Sequence, residues 1–239
     1  MFRLRLLALT LSGWLITQIV FAEQTVDQQT GEDVSIEALE KKAAANPDDL
    51  EIRYDLGIAY NEKAITGDED ALERAITIMR SILQDQPANL KAKAMLGSCT
   101  VMKAQYASIF SKLDYVEEGY TILDEVVTAN PDNQDLRLIR GANAARSPSF
   151  LGRSDVADTD FNWLIKDIES RPENYDDNYK RTVYYYAGHW FLEQREKRCI
   201  DILLIARDLP GAPRLSDDIK DALVSAKKRF PTTYAKKTK

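Results

Sequence analysis

Histidine occurs once in this chain and cysteine twice. A histidine-based nucleophilic triad would have to use His189, and no Gly-x-Ser-x-Gly turn accompanies it to expose a serine. HExxH, CxxC, P-loop and Gly-x-Gly-x-x-Gly patterns are all missing, so thiolate zinc sites, thioredoxin chemistry and nucleotide cradles lack their ligands. The acidic stretch Thr66-Gly67-Asp68-Glu69-Asp70 lacks the alternating oxygen ligands and glycine spacing of a calcium loop, and reads as solvated. No catalytic residue, cofactor or metal is therefore expected, and the chain reads as non-catalytic. An excess of positive charge is also lacking. With 32 basic and 38 acidic residues the net charge is -6, which leaves no electrostatic footprint for phosphate backbones, so nucleic acid is not an expected partner. No Asn-x-Ser/Thr acceptor occurs, a slight lean toward a bacterial envelope over a glycosylating route.

One long apolar run is present, at the start. Arg3 and Arg5 precede a nearly uninterrupted apolar stretch from Leu6 to Phe21, and Val20-Phe21-Ala22 leads into Glu23. This is the pattern of a secretory signal peptide over residues 1–22, cleaved between Ala22 and Glu23. Periplasmic or otherwise extracytoplasmic placement follows. The alternative is an uncleaved inner-membrane anchor at residues 6–22, for which the run is short against the roughly 20 apolar residues a span needs. Residues 23–34 are polar and read as a flexible leader.

Beyond the leader, self-similarity dominates. Asn46-Pro47-Asp48-Asp49, Gln86-Pro87-Ala88-Asn89, Asn130-Pro131-Asp132-Asn133 and Arg171-Pro172-Glu173-Asn174 each separate stretches of helical periodicity. Proline stops one helix and Asp or Asn caps the next. A glycine recurs ten residues after the first three prolines, at Gly57, Gly97 and Gly141, and sixteen after the fourth, at Gly188. A mid-helix glycine costs about 1 kcal/mol against alanine, so its repetition at one register implies a neighbouring helix in close approach. Ser216 to Phe230 carries Ile219, Ala222, Leu223, Ala226 and Phe230 on one face, and is expected to be a closing helix capped by Ser216.

Arg53-Tyr54-Asp55-Leu56-Gly57-Ile58-Ala59-Tyr60 resembles the Leu-Gly-x-x-Tyr core of the tetratricopeptide family. Met95-Leu96-Gly97 keeps Leu-Gly; Gly141 follows Arg140 and Gly188 follows Ala187, so the third and fourth units are degenerate. In the second helices Ala75, Met79 and Ile82 match the family's small and apolar positions, as do Gly119, Leu123 and Val126. The resemblance implies an all-α, right-handed α-α superhelix of about four tetratricopeptide-like helix pairs with long inserts and terminal capping helices. That domain would span residues 35–232, followed by a basic tail at 233–239. The units exceed the family's usual length near residues 64–70, at Tyr106 to Tyr115, where the helices are expected to extend, and at Ser147 to Arg153.

By the family register the first helices line a concave groove. Tyr54, Ile58, Asn61, Met102, Arg146, Tyr185 and His189 would face a partner there, with Lys91, Ala94, Ser98 and Val101 beside them. Phe150 and Leu151 would offer a second contact from an insert. The function this implies is an exported scaffold or adaptor binding a protein or peptide in the cell envelope. The alternative is a small-ligand or substrate-delivery protein of a transporter, which a deep apolar cavity lined by the inserts would favour. Membrane contact is expected only through the signal segment. Cys99 and Cys199 fall on helices several steps apart, too far for the roughly 7 Å a disulfide needs.

Overall fold

A computed structural model describes residues 35–211 and 214–237, so the signal segment and the leader before Ser35 lie outside the described residues. Each proline turn does what its chemistry dictates. Asp49, Asn89, Asn133 and Asp176 cap the helices that follow, each side chain accepting from backbone N–H groups of the next first turn. Eleven α-helices result among the described residues: α1 (Ile36–Ala45), α2 (Leu50–Ile65), α3 (Glu69–Asp85), α4 (Leu90–Lys103), α5 (Lys112–Ala129), α6 (Gln134–Ala145), α7 (Ser154–Ser170), α8 (Asp177–Glu193), α9 (Cys199–Asp208), α10 (Arg214–Arg229) and α11 (Pro231–Lys237). There is no strand among them. The pairs α2/α3, α4/α5, α6/α7 and α8/α9 are antiparallel hairpins, with α1 before them and α10 and α11 after.

The register glycines lie where these hairpins touch. A Cβ on Gly57 would stand 2.3 Å from Met79 of α3, on Gly97 3.0 Å from Ile122 of α5, on Gly141 3.0 Å from Asp160 of α7, and on Gly188 2.7 Å from Leu203 of α9. Gly188 trails its proline further because a 3-10 turn (Pro172–Asn174) lengthens the linker and the glycine sits one helical turn deeper in α8. Ala75, Met79 and Ile82 of α3, with Leu123 and Val126 of α5, fill the seams; each large apolar side chain so enclosed contributes about 1.5–3 kcal/mol.

In the third hairpin an ion pair takes over from the apolar seam. Arg140 stands where the family motif has leucine, and it donates to both oxygens of fully buried Asp160 at 2.8 and 2.9 Å, joined by Arg137 at 2.8 Å. Arg140 and Arg153 also converge on Asp124 of α5. The degenerate motif is thus a change of chemistry at a retained contact.

Three expectations are corrected. The excess in the second unit is mostly a connection: after Lys103 the bonding tightens, Ala104, Gln105 and Tyr106 donating to carbonyls three residues back. Ser216 is inside α10, not its cap; its Oγ accepts from Arg181 at 2.8 Å. The end of the chain is not simply a solvated tail from residue 233, since α11 starts on Pro231, which needs no N–H there, and Tyr234 packs against the last core. Cys99 and Cys199 are free, buried and in different core clusters. None of the described helices is long and apolar enough to cross a membrane.

Candidate functional site

The first helices of the four pairs run parallel and share an inner face. Lys91 and Asp135 each stand four residues after their proline, so both enter that face from a first turn, and their side chains meet at 3.6 Å. Burial pushes the Asp135 carboxyl up, while Lys91 pulls it back. Tyr54 of α2 and Tyr179 of α8 approach the same carboxylate. Burial pushes the Tyr54 phenol far up, with Asp135 the next contributor. The Tyr179 phenol is pushed well up by burial and then by Asp135 and Tyr175. Tyr179 stacks on Tyr175 with ring centroids 5.4 Å apart, and its hydroxyl has no hydrogen-bond partner among the described residues. The first helices α2, α4 and α8 thus each place a side chain near Asp135 of α6, of which Lys91 and Tyr54 are partly exposed while Tyr179, with Tyr175, belongs to the core.

Deeper along the helices the inner face is stitched by polar side chains. The Cys99 thiol donates to Asn61 Oδ1 at 3.3 Å, and burial pushes that thiol up to about 12. Asn143 Nδ2 donates to Ser98 Oγ at 3.0 Å and to Ile139 O at 2.8 Å, and Tyr120 donates to the Asn143 carbonyl at 2.9 Å. These bonds tie α2 to α4, and α4 to α6, side by side.

The residues expected to face a partner separate into groups. Tyr54 and Ile58 are half-buried on the inner face. Asn61 is 1% exposed and Met102 belongs to the first core, so both support the face from behind. Tyr185, at 2% exposure, is also core: Asp218 and Asp221 of α10 act on its phenol, so α10 covers it. Arg146 lies by Tyr185, Tyr186 and Tyr120, its guanidinium pushed down by burial. His189 is half-buried, its ring 6.1 Å from Tyr185 and its Nδ1 3.8 Å from Glu193. Phe150 and Leu151 are elsewhere, on a 3-10 turn (Ser149–Leu151) in the α6–α7 connection. Val101 faces α5, where Gly119 meets it. Asp135, Asn143, Tyr175 and Tyr179 were missed; Asp135 was readable from its register with Lys91, whereas the tyrosines follow the longer fourth linker, which shifts the count.

A cavity of about 460 Å³ opens between α1, α2 and α3. Its wall includes Glu37, Glu40, Lys63, Asp68 and Arg74, and across it Arg74 donates to the Tyr60 hydroxyl at 2.6 Å while Tyr60 donates to Glu40. This is a charged cleft, unlike the apolar chamber that a lipid-like or small apolar ligand needs. Among the described residues no group of three His, Cys, Asp or Glu side chains is arranged to hold a metal ion.

Comparison with known proteins agrees with this geometry. A tetratricopeptide repeat family model matches residues 29–105, the leader's end through the second unit's first helix. The thermophilic tetratricopeptide protein TTC0263 of Thermus thermophilus superposes with a TM-score of 0.59 at 18% identity, covering 80% of this chain and 88% of that one. MamA of AMB-1 aligns at 24% identity over 73% of this chain and 86% of its own, with a TM-score of 0.38. No curated protein matches the chain. The described helices therefore have a tetratricopeptide-like helical-repeat fold, and the family's own pattern is matched over residues 29–105.

Proposed function

We propose that this protein is an exported scaffold that holds an extended segment of a partner protein along the inner face of α2, α4, α6 and α8, in the cell envelope. The observation that carries the reading is the partly exposed Lys91–Asp135 ion pair that bridges α4 and α6, with half-buried Tyr54 of α2 near enough to feel the Asp135 charge. An aromatic ring beside a partly exposed ion pair is the kind of surface on which peptide segments anchor. Export rests on Arg3, Arg5, the Leu6 to Phe21 run and the small residue Ala22. The charged character of the α1–α3 cleft gives the small-ligand reading no support.

The test is a photo-crosslinking residue placed at Tyr54 or Lys91, and, as a control, at Ile205 on the outer helix α9. The same partner, identified by mass spectrometry, is expected at both inner positions and not at Ile205. Equal capture at Ile205 would contradict the groove.

A further inference from the structure

We propose that the α4–α5 connection and its surroundings dock a basic amphipathic helix of a partner protein. This surface is separate from the inner face, and the inference does not depend on the groove reading.

Four of the six large apolar side chains left exposed among the described residues belong to this region. Ile109 is 73% exposed and Phe110 89% just before α5, Leu113 is 61% exposed in its first turn, and Phe150 is 80% exposed on the α6–α7 connection. That neighbouring connection is tied to α5: the Arg153 guanidinium lies 4.3 Å over the Tyr120 ring and donates to Asp124 at 2.8 and 2.9 Å. On the other side, Tyr106 donates to the carbonyl of Ala64 at 3.4 Å, which holds the end of α2 against the α4–α5 connection. Large apolar side chains gathered this closely mark a contact surface, where a single exposed one would not.

The charge around the strip decides what covers it. Asp114, Glu117 and Glu118 are exposed in the first two turns of α5, Glu69 and Asp70 at the start of α3, and Asp155 just beyond Phe150. None of these six acids forms an ion pair among the described residues. The nearby cations are already engaged: Lys63 with Asp68 at 3.0 Å, Lys103 with Glu73 at 2.5 Å and Arg153 with Asp124 at 2.8 Å. Half-buried Lys112 is the one cation here outside such a pair among the described residues. On the α8–α9 connection, two steps from Phe110, exposed charges are mixed, with Glu193 beside Arg195 and Lys197.

An apolar strip rimmed by uncompensated carboxylates selects its occupant twice. Apolar side chains gain by covering the strip, and lysine or arginine to either side gains by meeting the rim. A helix with one apolar face and basic flanks meets both demands. Anionic lipid is repelled by the same rim, and two copies joined face to face through this strip would set like charges against each other.

The experiment uses the full chain expressed in its native host. The probes are a fluorescent synthetic helix of leucine and lysine, leucines on one face, and the same helix with glutamate for every lysine. Fluorescence anisotropy is expected to show the lysine helix binding at least tenfold more tightly. Phe110→Ser with Leu113→Ser is expected to weaken it at least tenfold, and Asp114→Lys with Glu117→Lys to remove the preference for lysine. Asp132→Lys with Glu173→Lys, the same change of charge on the proline-turn edge, is expected to leave binding close to wild type. Wild-type binding by the 110/113 variant would overturn the proposal. So would equal losses from the two lysine pairs, which would reduce the effect to the acidity of the whole chain. Dimers in sedimentation that the 110/113 variant dissolves would also overturn it, by making a second copy the occupant. All the substituted side chains are exposed, and unchanged helical circular dichroism excludes misfolding as the cause of a loss.

Discussion

Gly97 and Gly119 face each other across the α4–α5 seam: a Cβ on Gly119 would lie 2.7 Å from the Gly97 carbonyl oxygen, and one on Gly97 3.1 Å from that of Gly119. Neither backbone can retreat without opening the hairpin. Gly119→Ala is therefore expected to destabilise by about 1–3 kcal/mol, as overpacking against a rigid neighbour does. Gly57 is different, because its closest obstacle is the flexible end of Met79. There the gain in helix propensity, about 1 kcal/mol, offsets the displacement, and Gly57→Ala is expected to stay close to wild type. Urea unfolding of the two variants checks the contrast.

Asp160 is fully buried between Arg137 and Arg140. Asp160→Ala strands two largely enclosed guanidinium groups, and breaking a buried pair in this way costs about 3–5 kcal/mol. Arg137→Met is expected to cost less, because Arg140 still satisfies both carboxylate oxygens. Thermal unfolding of both variants measures the difference.

The protein is expected to lose stability in alkali. Burial pushes Cys99 up to about 12 and Cys199 up to about 11, and burial with the Asp167 hydrogen bond pushes Tyr175 up to about 12. An unfolded thiol ionises near pH 8.5 and an unfolded phenol near about 10. Between these values and the native ones the unfolded chain releases protons that the native chain keeps. Stability is therefore complete below pH about 8.5 and falls as pH rises toward 12. Urea midpoints from pH 7 to 11 trace the fall. Ellman's reagent at pH 8 is expected to find no reactive thiol in the native protein and two once it unfolds.

Export predicts a processed chain. N-terminal sequencing of the protein isolated from its native host is expected to begin at Glu23. A chain beginning at Met1 and held in the membrane fraction would favour the anchor.

The fold was readable because its determinants are local. Prolines, Asp and Asn caps and register glycines act within a few residues, and each acts at its place in the structure. The groove was only half readable. Tyr54 and Lys91 are placed by their own helices, but Asp135 joins them only because helices far apart in sequence pack side by side. Tyr185 shows the limit: helical periodicity puts it on the inner side of α8, yet α10 packs over that position. Periodicity identifies a face and cannot say whether the next helix covers it. The α4–α5 connection, expected to be helical, is instead where the bonding tightens and apolar side chains emerge.

The most direct measurement of the central claim is calorimetric binding of the captured partner segment to the wild type, Lys91→Glu and Tyr54→Ala. The account predicts at least a tenfold loss of affinity, about 1.4 kcal/mol, for each variant with unfolding unchanged. Wild-type affinity in both would contradict binding in the groove.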